Sequence, residues 1–292
     1  MNRENSRVYR TQVGQAQVLM LSDGHGFFNP WHPVIGAESP RAEVEQACTD
    51  WNMPSDGYTP VVAMLVQLNG RTILIDAGSG NTFAPGVGQL PKSLEEAGID
   101  PGDIDTILLT HAHPDHIGGL LTKQGDVQFP NAEIYISDEE KRFWLDDPDL
   151  SRATMPPERK AEFIEVAQDR LTRFDDRIKS TSELDGKLPG IETLETFGHT
   201  PGHLAFRVRD GGESLLFVGD AIFFTPVLPL HPHWGCALDT DPESGIAARL
   251  RLMNLLVDSQ ERFAATHIAM PSSGRFKKHG SGYLFLPDPW RN

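Results

Sequence analysis

The stretch Thr110-His111-Ala112-His113-Pro114-Asp115-His116 concentrates four metal-binding side chains in six positions. Side chains two apart on an extended segment point the same way, so His111 and His113 at a strand end can chelate one ion together. Pro114 breaks the extended run. Asp115 and His116 then open a helix beyond the turn, where they can face a second ion close by. Imidazole combined with carboxylate suits borderline divalent ions, zinc first, with manganese or iron as alternatives. Four donors cannot complete two coordination spheres, so further ligands must come from elsewhere. Three later candidates each follow a strand: His199 in Gly198-His199-Thr200-Pro201-Gly202-His203, Asp220 in Val218-Gly219-Asp220, and His267 in Ala265-Thr266-His267. Two ions about 3.5–4 Å apart require a carboxylate able to bridge them, and Asp220 is assigned that role. Such a pair lowers the pKa of a shared water from about 15.7 toward about 7, giving hydroxide that attacks a carbonyl or phosphoryl centre. No protein nucleophile is then needed, and the chain has no Gly-x-Ser-x-Gly elbow.

These residues need a scaffold that aims several strand ends at one edge. Residues 17–21 and 61–68 read as strands, and 71–75 as a third after an Asn69-Gly70 hairpin turn. Residues 24–60, rich in Pro, Gly, Trp and Phe, read as a long surface excursion of the kind that often binds ligands. A helix over 92–97 stops at Gly98. Residues 105–110 form a buried strand that delivers the histidine motif, and 133–136 another. Ser137 with Glu140 three residues on is a capping box. A charged helix covers 158–174, and strands resume at 191–196, 205–208 and 214–218. Asp241-Pro242 caps a helix running to about residue 257. Two groups of strands, each followed by helices, predict an α/β fold of two packed sheets with helices outside, in one domain over residues 1–292.

The bulk properties fit a globular enzyme. The chain has 292 residues, 39% hydrophobic and 23% charged, enough to bury a sizeable core without disulfides. A formal net charge of −15 argues against nucleic acid or an anionic membrane as partner. The longest basic cluster, Arg275, Lys277 and Lys278, is short and reads as a solvated loop. Cys48 and Cys236 lie far apart, outside any zinc-knuckle spacing, and a reducing compartment suits them. Without a signal-peptide core or a membrane-spanning run, the expected location is the cytoplasm.

The ordered series His-x-His-x-Asp-His, Gly-His-Thr-Pro-Gly-His, Gly-Asp and a final His resembles the ligand set of the metallo-β-lactamase superfamily, from about Leu21 to Leu286. The resemblance implies the αββα four-layer sandwich of two mixed sheets with helices outside. It implies that His111, His113 and His199 hold one ion, that Asp115, His116 and His267 hold the other, and that Asp220 bridges them. Asp115 gains a second role, passing a proton to the leaving group. Leu21-Ser22-Asp23-Gly24, Ile75-Asp76-Ala77-Gly78, Gly98-Ile99-Asp100-Pro101, Phe143-Trp144 and Asp239-Thr240-Asp241-Pro242 look like the branch containing methyl parathion hydrolase and related lactonases and arylesterases. Two strings depart from that branch: Phe223-Phe224-Thr225-Pro226, and Met270-Pro271-Ser272-Ser273-Gly274-Arg275. In one group of acyl-homoserine-lactone lactonases a Tyr stands where this chain has Phe223, so that hydroxyl is missing here.

Asp76 resembles a carboxylate that orients a ligand histidine. His203 reads as a structural histidine, and His231 and His233 as ordinary loop residues. Phe28, Trp31, Trp144 and Phe223 are the aromatic candidates for an apolar substrate pocket, Trp144 by resemblance to a leaving-group pocket. The expected activity is hydrolysis of a neutral lactone or ester, with acyl-homoserine and aryl lactones as candidates. Phosphotriester hydrolysis uses the same hydroxide and is the alternative. An iron-dependent redox member, such as a persulfide dioxygenase, fits a complete seven-residue set less well. The expected partner is a small neutral substrate, and a homodimer is an assembly common among the relatives.

Overall fold

A computed structural model describes residues 6–28, 30–53, 56–224 and 226–290. The first sheet holds seven strands in sequence order: β1 (Val8–Val13), β2 (Ala16–Phe27), β3 (Tyr58–Leu68), β4 (Arg71–Ile75), β5 (Thr106–Leu108), β6 (Glu133–Ile136) and β7 (Ile178–Ser180). Its first four strands pair antiparallel and its last four parallel, so the sheet is mixed. The second sheet runs β13-β12-β11-β10-β9-β8, comprising β8 (Ile191–Glu195), β9 (Leu204–Asp210), β10 (Glu213–Phe217), β11 (Arg262–Ala264), β12 (Ser273–His279) and β13 (Gly282–Pro287). Only β10 and β11 pair parallel there. The helices are α1 (Arg41–Asp50), α2 (Leu90–Ala97), α3 (Pro114–Ile117), α4 (Asp138–Leu145), α5 (Pro157–Arg173), α6 (Val227–Leu230) and α7 (Pro242–Ser259).

Alternation along β3 shows why the layers form. Val62, Met64 and Val66 face the second sheet, meeting Phe206, Val208 and Phe217. Val61, Ala63 and Leu65 face outward into a cluster with Leu94 of α2 and Phe163, Ala167 and Leu171 of α5. A strand covered on both faces reads as one continuous apolar run, which is why residues 61–68 are conspicuous in the sequence. On the far side, Leu216, Val218 and Phe263 meet Leu252, Met253 and Leu256 of α7. The four layers are therefore helix, sheet, sheet, helix, as expected. Each fully buried aliphatic side chain contributes about 1.5–3 kcal/mol toward this packing.

Local signals also hold. Asn69 and Gly70 both have positive φ, as a tight hairpin turn requires. Gly98 caps α2 at φ 76° in the left-handed region, and the Asp241 side chain accepts from Ser244 N at the start of α7.

Four expectations need correction. The excursion at 24–60 is not all loop: β2 runs on to Phe27, and α1 buries Val44, Ala47 and Cys48 at helical spacing. Arg275, Lys277 and Lys278 lie on β12, with Arg275 and Lys277 on the exposed face opposite buried Phe276 and Lys278 near the strand's exposed end, so they belong to a strand rather than a loop. The capping box is half formed, because Ser137 Oγ accepts from Glu140 N while the Glu140 carboxylate turns into the core. Trp144 is fully buried, with its Nε1 donating to Glu140 Oε1 at 2.7 Å, and so belongs to the core rather than to a pocket.

Candidate metal centre

In the second sheet β9 runs against both β8 and β10, and β10 runs with β11, so β8, β10 and β11 end at the same edge. His199 follows β8, Asp220 follows β10 and His267 follows β11. From the first sheet, β5 ends beside them, tied by Leu204 N donating to Thr110 O at 2.9 Å. His113 caps α3 with Pro114 in its first turn, and this places Asp115 and His116 beyond the bend. Glycines let the chain come this close. Gly219 has φ 51°, and a Cβ there would lie 2.8 Å from His203 Nε2.

The seven expected residues converge into two groups: His111, His113, His199 and Asp220, and then Asp115, His116 and His267, with the donor atoms of each group within 4.8 Å of one another. Asp220 reaches both. Its Oδ2 lies 3.4 Å from His199 Nε2, 4.0 Å from His111 Nε2 and 3.1 Å from His267 Nε2, while its Oδ1 lies 3.3 Å from His116 Nε2. His267 Nε2 is 3.2 Å from Asp115 Oδ2, and His113 Nδ1 is 3.1 Å from His199 Nε2.

The donor set fits divalent cations on its own chemistry. His111 Nε2, His116 Nε2, Asp115 Oδ2 and Asp220 Oδ1 are buried with no hydrogen-bond partner. Orphaned polar atoms cost roughly 1–3 kcal/mol each, more for charged groups, unless a ligand meets them. Burial, reinforced by His116 and His113, holds the His111 imidazole well below its usual range, and burial with His199 does the same for His113. Neutral imidazole is the form that ligates metal. Burial alone would lower His116 and His267 too. Asp220, with Asp76 and Asp115, outweighs it and raises His116, and Asp220 with Asp115 pushes His267 up to about 10. Burial would raise the Asp220 carboxyl, but His267 and His116 hold it well below the usual carboxylate range.

Three of the inward-facing rings, His116, His199 and His267, are fixed from behind. His116 Nδ1–H donates to Asp76 Oδ2 at 2.8 Å, the contact expected of Asp76, and Asp76 in turn accepts from Thr110 N and Oγ1. His199 Nδ1–H donates to Asp239 Oδ1 at 2.8 Å, and His267 Nδ1–H donates to Pro60 O at 2.7 Å. These bonds select the tautomer whose Nε2 lone pair points at the centre. His203 stands behind Asp220, its Nε2 accepting from Asp220 N at 3.1 Å, and His231 stacks on Trp234. The Asp239 contact was not expected from sequence, since a single loop Asp carries no spacing signal.

Over the centre lies a narrow apolar cleft formed by Phe28, Phe223, Phe224, Cys236 and Leu238. Phe28 and Phe223, two of the aromatic candidates, line this cleft. Trp31 stands one layer back, its ring 4.3 Å from that of Phe224. Burial and nearby Asp239 push the Cys236 thiol well up, so the cleft wall is neutral. Thr225, within the departing string, lies outside the described residues.

An αββα sandwich with a His/Asp edge of this kind defines a class of two-metal proteins, and comparison with known proteins agrees. The family model of the metallo-beta-lactamase superfamily matches residues 56–258, and the chain belongs to that superfamily. Among solved structures it is similar to AidC, a dizinc quorum-quenching lactonase in complex with the product N-hexanoyl-L-homoserine. Identity there is 30%, covering 99% of this chain and 100% of that one, with a TM-score of 0.90. It is similar also to the hydrolase AbOPH, at 29% identity over 99% and 100% of the two chains, with a TM-score of 0.89. The probable metallo-hydrolase YqgX of Bacillus subtilis (strain 168) is 35% identical over 135 residues, 46% of this chain and 56% of that protein. The chain thus spans little more than half the length of that curated relative. This chain's superfamily and its two His/Asp donor groups are those of dinuclear metal-dependent hydrolases. Among the described residues, no helix is long and apolar enough to cross a membrane.

Proposed function

We propose that this hydrolase opens or cleaves a neutral lactone or ester, with acyl-homoserine and aryl lactones as the candidate classes and zinc as the metal. The observation that carries this reading is the neutral aromatic cleft seated on Asp220, His199 and His267, with no Lys or Arg among its described lining residues. Such a wall suits an acyl or aryl group and offers nothing to an anionic substrate. The likeness to a dizinc lactonase over 99% of the chain supports it further.

The ions, when bound, supply Lewis acidity and a water whose pKa falls to about 7. The chain's own part is positional. Phe28, Phe223, Phe224 and Leu238 close over the donor groups and leave only about 10 Å³ of space, so the apolar part of a substrate enters by displacing these side chains, its carbonyl toward Asp220. Asp115 Oδ2, buried and without a hydrogen-bond partner, is placed to carry a proton to the departing alkoxide. Phe223 gives no hydroxyl to the substrate oxygen, so orientation comes from shape.

The test is a comparison of kcat/KM for an aryl lactone, an aryl ester and a dialkyl aryl phosphate, using zinc-reconstituted protein and His116→Ala as control. Lactone or ester should be preferred, and His116→Ala should be inactive on all. A clear preference for the phosphotriester would overturn the reading and place the chain with the methyl parathion hydrolase type. Oxygen uptake by an iron-loaded form in place of hydrolysis would move it to the redox members.

A further inference from the structure

The Glu140 side chain is fully buried and is not itself one of the donors, yet it touches the two loops that supply the histidines of the first group. Its Oε1 accepts from Ala112 N at 3.0 Å, between His111 and His113, and from Trp144 Nε1 at 2.7 Å. Its Oε2 accepts from Thr200 Oγ1 at 2.6 Å and from Gly202 N at 3.0 Å, in the loop that begins with His199. That loop also lies flush on the start of α4. Ser137 Oγ donates to Gly202 O at 2.8 Å, and a Cβ on Gly202 would come within 2.2 Å of Glu140 N.

We infer that Glu140 is a positioning residue that clamps the 111–113 and 199–203 loops together and so sets the spacing of His111, His113 and His199 as one donor group. All four partners carry an N–H or O–H aimed at a carboxylate oxygen, two on each; burial raises the Glu140 carboxyl while these four bonds pull it back down. Glutamine in its place turns an NH2 toward N–H donors in either flip: toward Ala112 N and Trp144 Nε1, or toward Gly202 N. The second group has no such dependence, because Asp115, His116 and His267 take their bearings from α3, Asp76 and the Pro60 carbonyl. The clamp therefore acts on one group of ligands and spares the other.

The experiment is metal binding by calorimetry or chelator competition on Glu140→Gln, repeated in two backgrounds. With His116→Ala, which weakens the second group, Glu140→Gln should lower zinc affinity for the remaining site about 10- to 100-fold, the range for residues that orient ligands. With His199→Ala, which weakens the first group, adding Glu140→Gln should change the remaining affinity less than about twofold. Loss of affinity of equal size in both backgrounds, or in neither, would overturn the assignment. Near-ultraviolet circular dichroism of the metal-free proteins separates these outcomes from misfolding. Should Glu140→Gln not fold, Thr200→Val removes one of the four bonds at similar volume and must show the same selectivity at smaller size. An effect of Thr200→Val on both sites, or on neither, would equally refute the clamp.

Discussion

At the ligand edge, His116, His199 and His267 each donate a hydrogen bond of 2.7 to 2.8 Å to a fixed acceptor. Across the cleft, the rings of Phe223, Phe224 and Trp31 pack edge-on within an apolar cluster, with ring centres 4.3 and 4.7 Å apart. The contrast separates two duties. Directional bonds fix a donor atom to a fraction of an ångström, as two adjacent ions demand, and a single lost bond is felt in full. Apolar packing is non-directional and tolerates substitutions of similar volume. Changes at the edge should therefore abolish the reaction, whereas changes in the wall should redirect it.

The largest effect belongs to Asp220, which both groups share. Asp220→Ala should reduce metal content below two per chain and bring turnover to the detection limit, as measured by elemental analysis beside the lactone assay. Two retained ions would break the contrast at its strongest point. Asp239→Ala removes the acceptor behind His199 and should cost about 10- to 100-fold in zinc affinity, with activity partly restored at high zinc. An unchanged affinity would show that His199 needs no such prop.

Wall substitutions come next. Phe223→Ala should destabilise the fold by about 3–5 kcal/mol, because the ring is only 2% exposed, and this is readable by denaturant titration. Phe223→Leu should cost less than about 1.5 kcal/mol while shifting the preferred acyl length, with metal content unchanged. If instead it lowered metal content and left selectivity alone, wall and edge would not be separate. A further effect concerns pH. In chelator-treated protein His267 binds its proton more tightly folded than unfolded, its pKa rising from 6.5 to about 10. That contribution to stability is complete below about pH 6.5 and is lost as pH rises through about 10. Thermal unfolding of the metal-free form should show this decline, and the zinc-loaded form should not, since metal replaces the proton.

The edge was legible in the sequence for the same reason that it is rigid. Chelation demands fixed residue types at fixed spacing, so His111 to His116 stand out, and strand ends then point to His199, Asp220 and His267. Elements with strong local chemistry, such as the Asn69-Gly70 turn and the Asp241 cap, were legible too. What escaped has no local signature. Asp239 becomes a partner of His199 only through folding, across 40 positions. Glu140 carries the Ser-x-x-Glu pattern of an ordinary cap, and only its burial against two loops reveals the inward turn. Trp144 looked like a pocket residue by resemblance, but its Nε1 finds that same carboxylate. Helix α1 and the β12–β13 hairpin were missed because few of their residues are buried: α1 covers just three, and in β12 the alternation holds only over Arg275, Phe276 and Lys277 before an exposed end.

The account rests most directly on how many ions one chain holds. Zinc-reconstituted protein, dialysed free of excess metal, should contain two zinc ions per chain by plasma mass spectrometry and lose hydrolysis and metal together on chelation. One ion or none, with full hydrolytic activity, would contradict it.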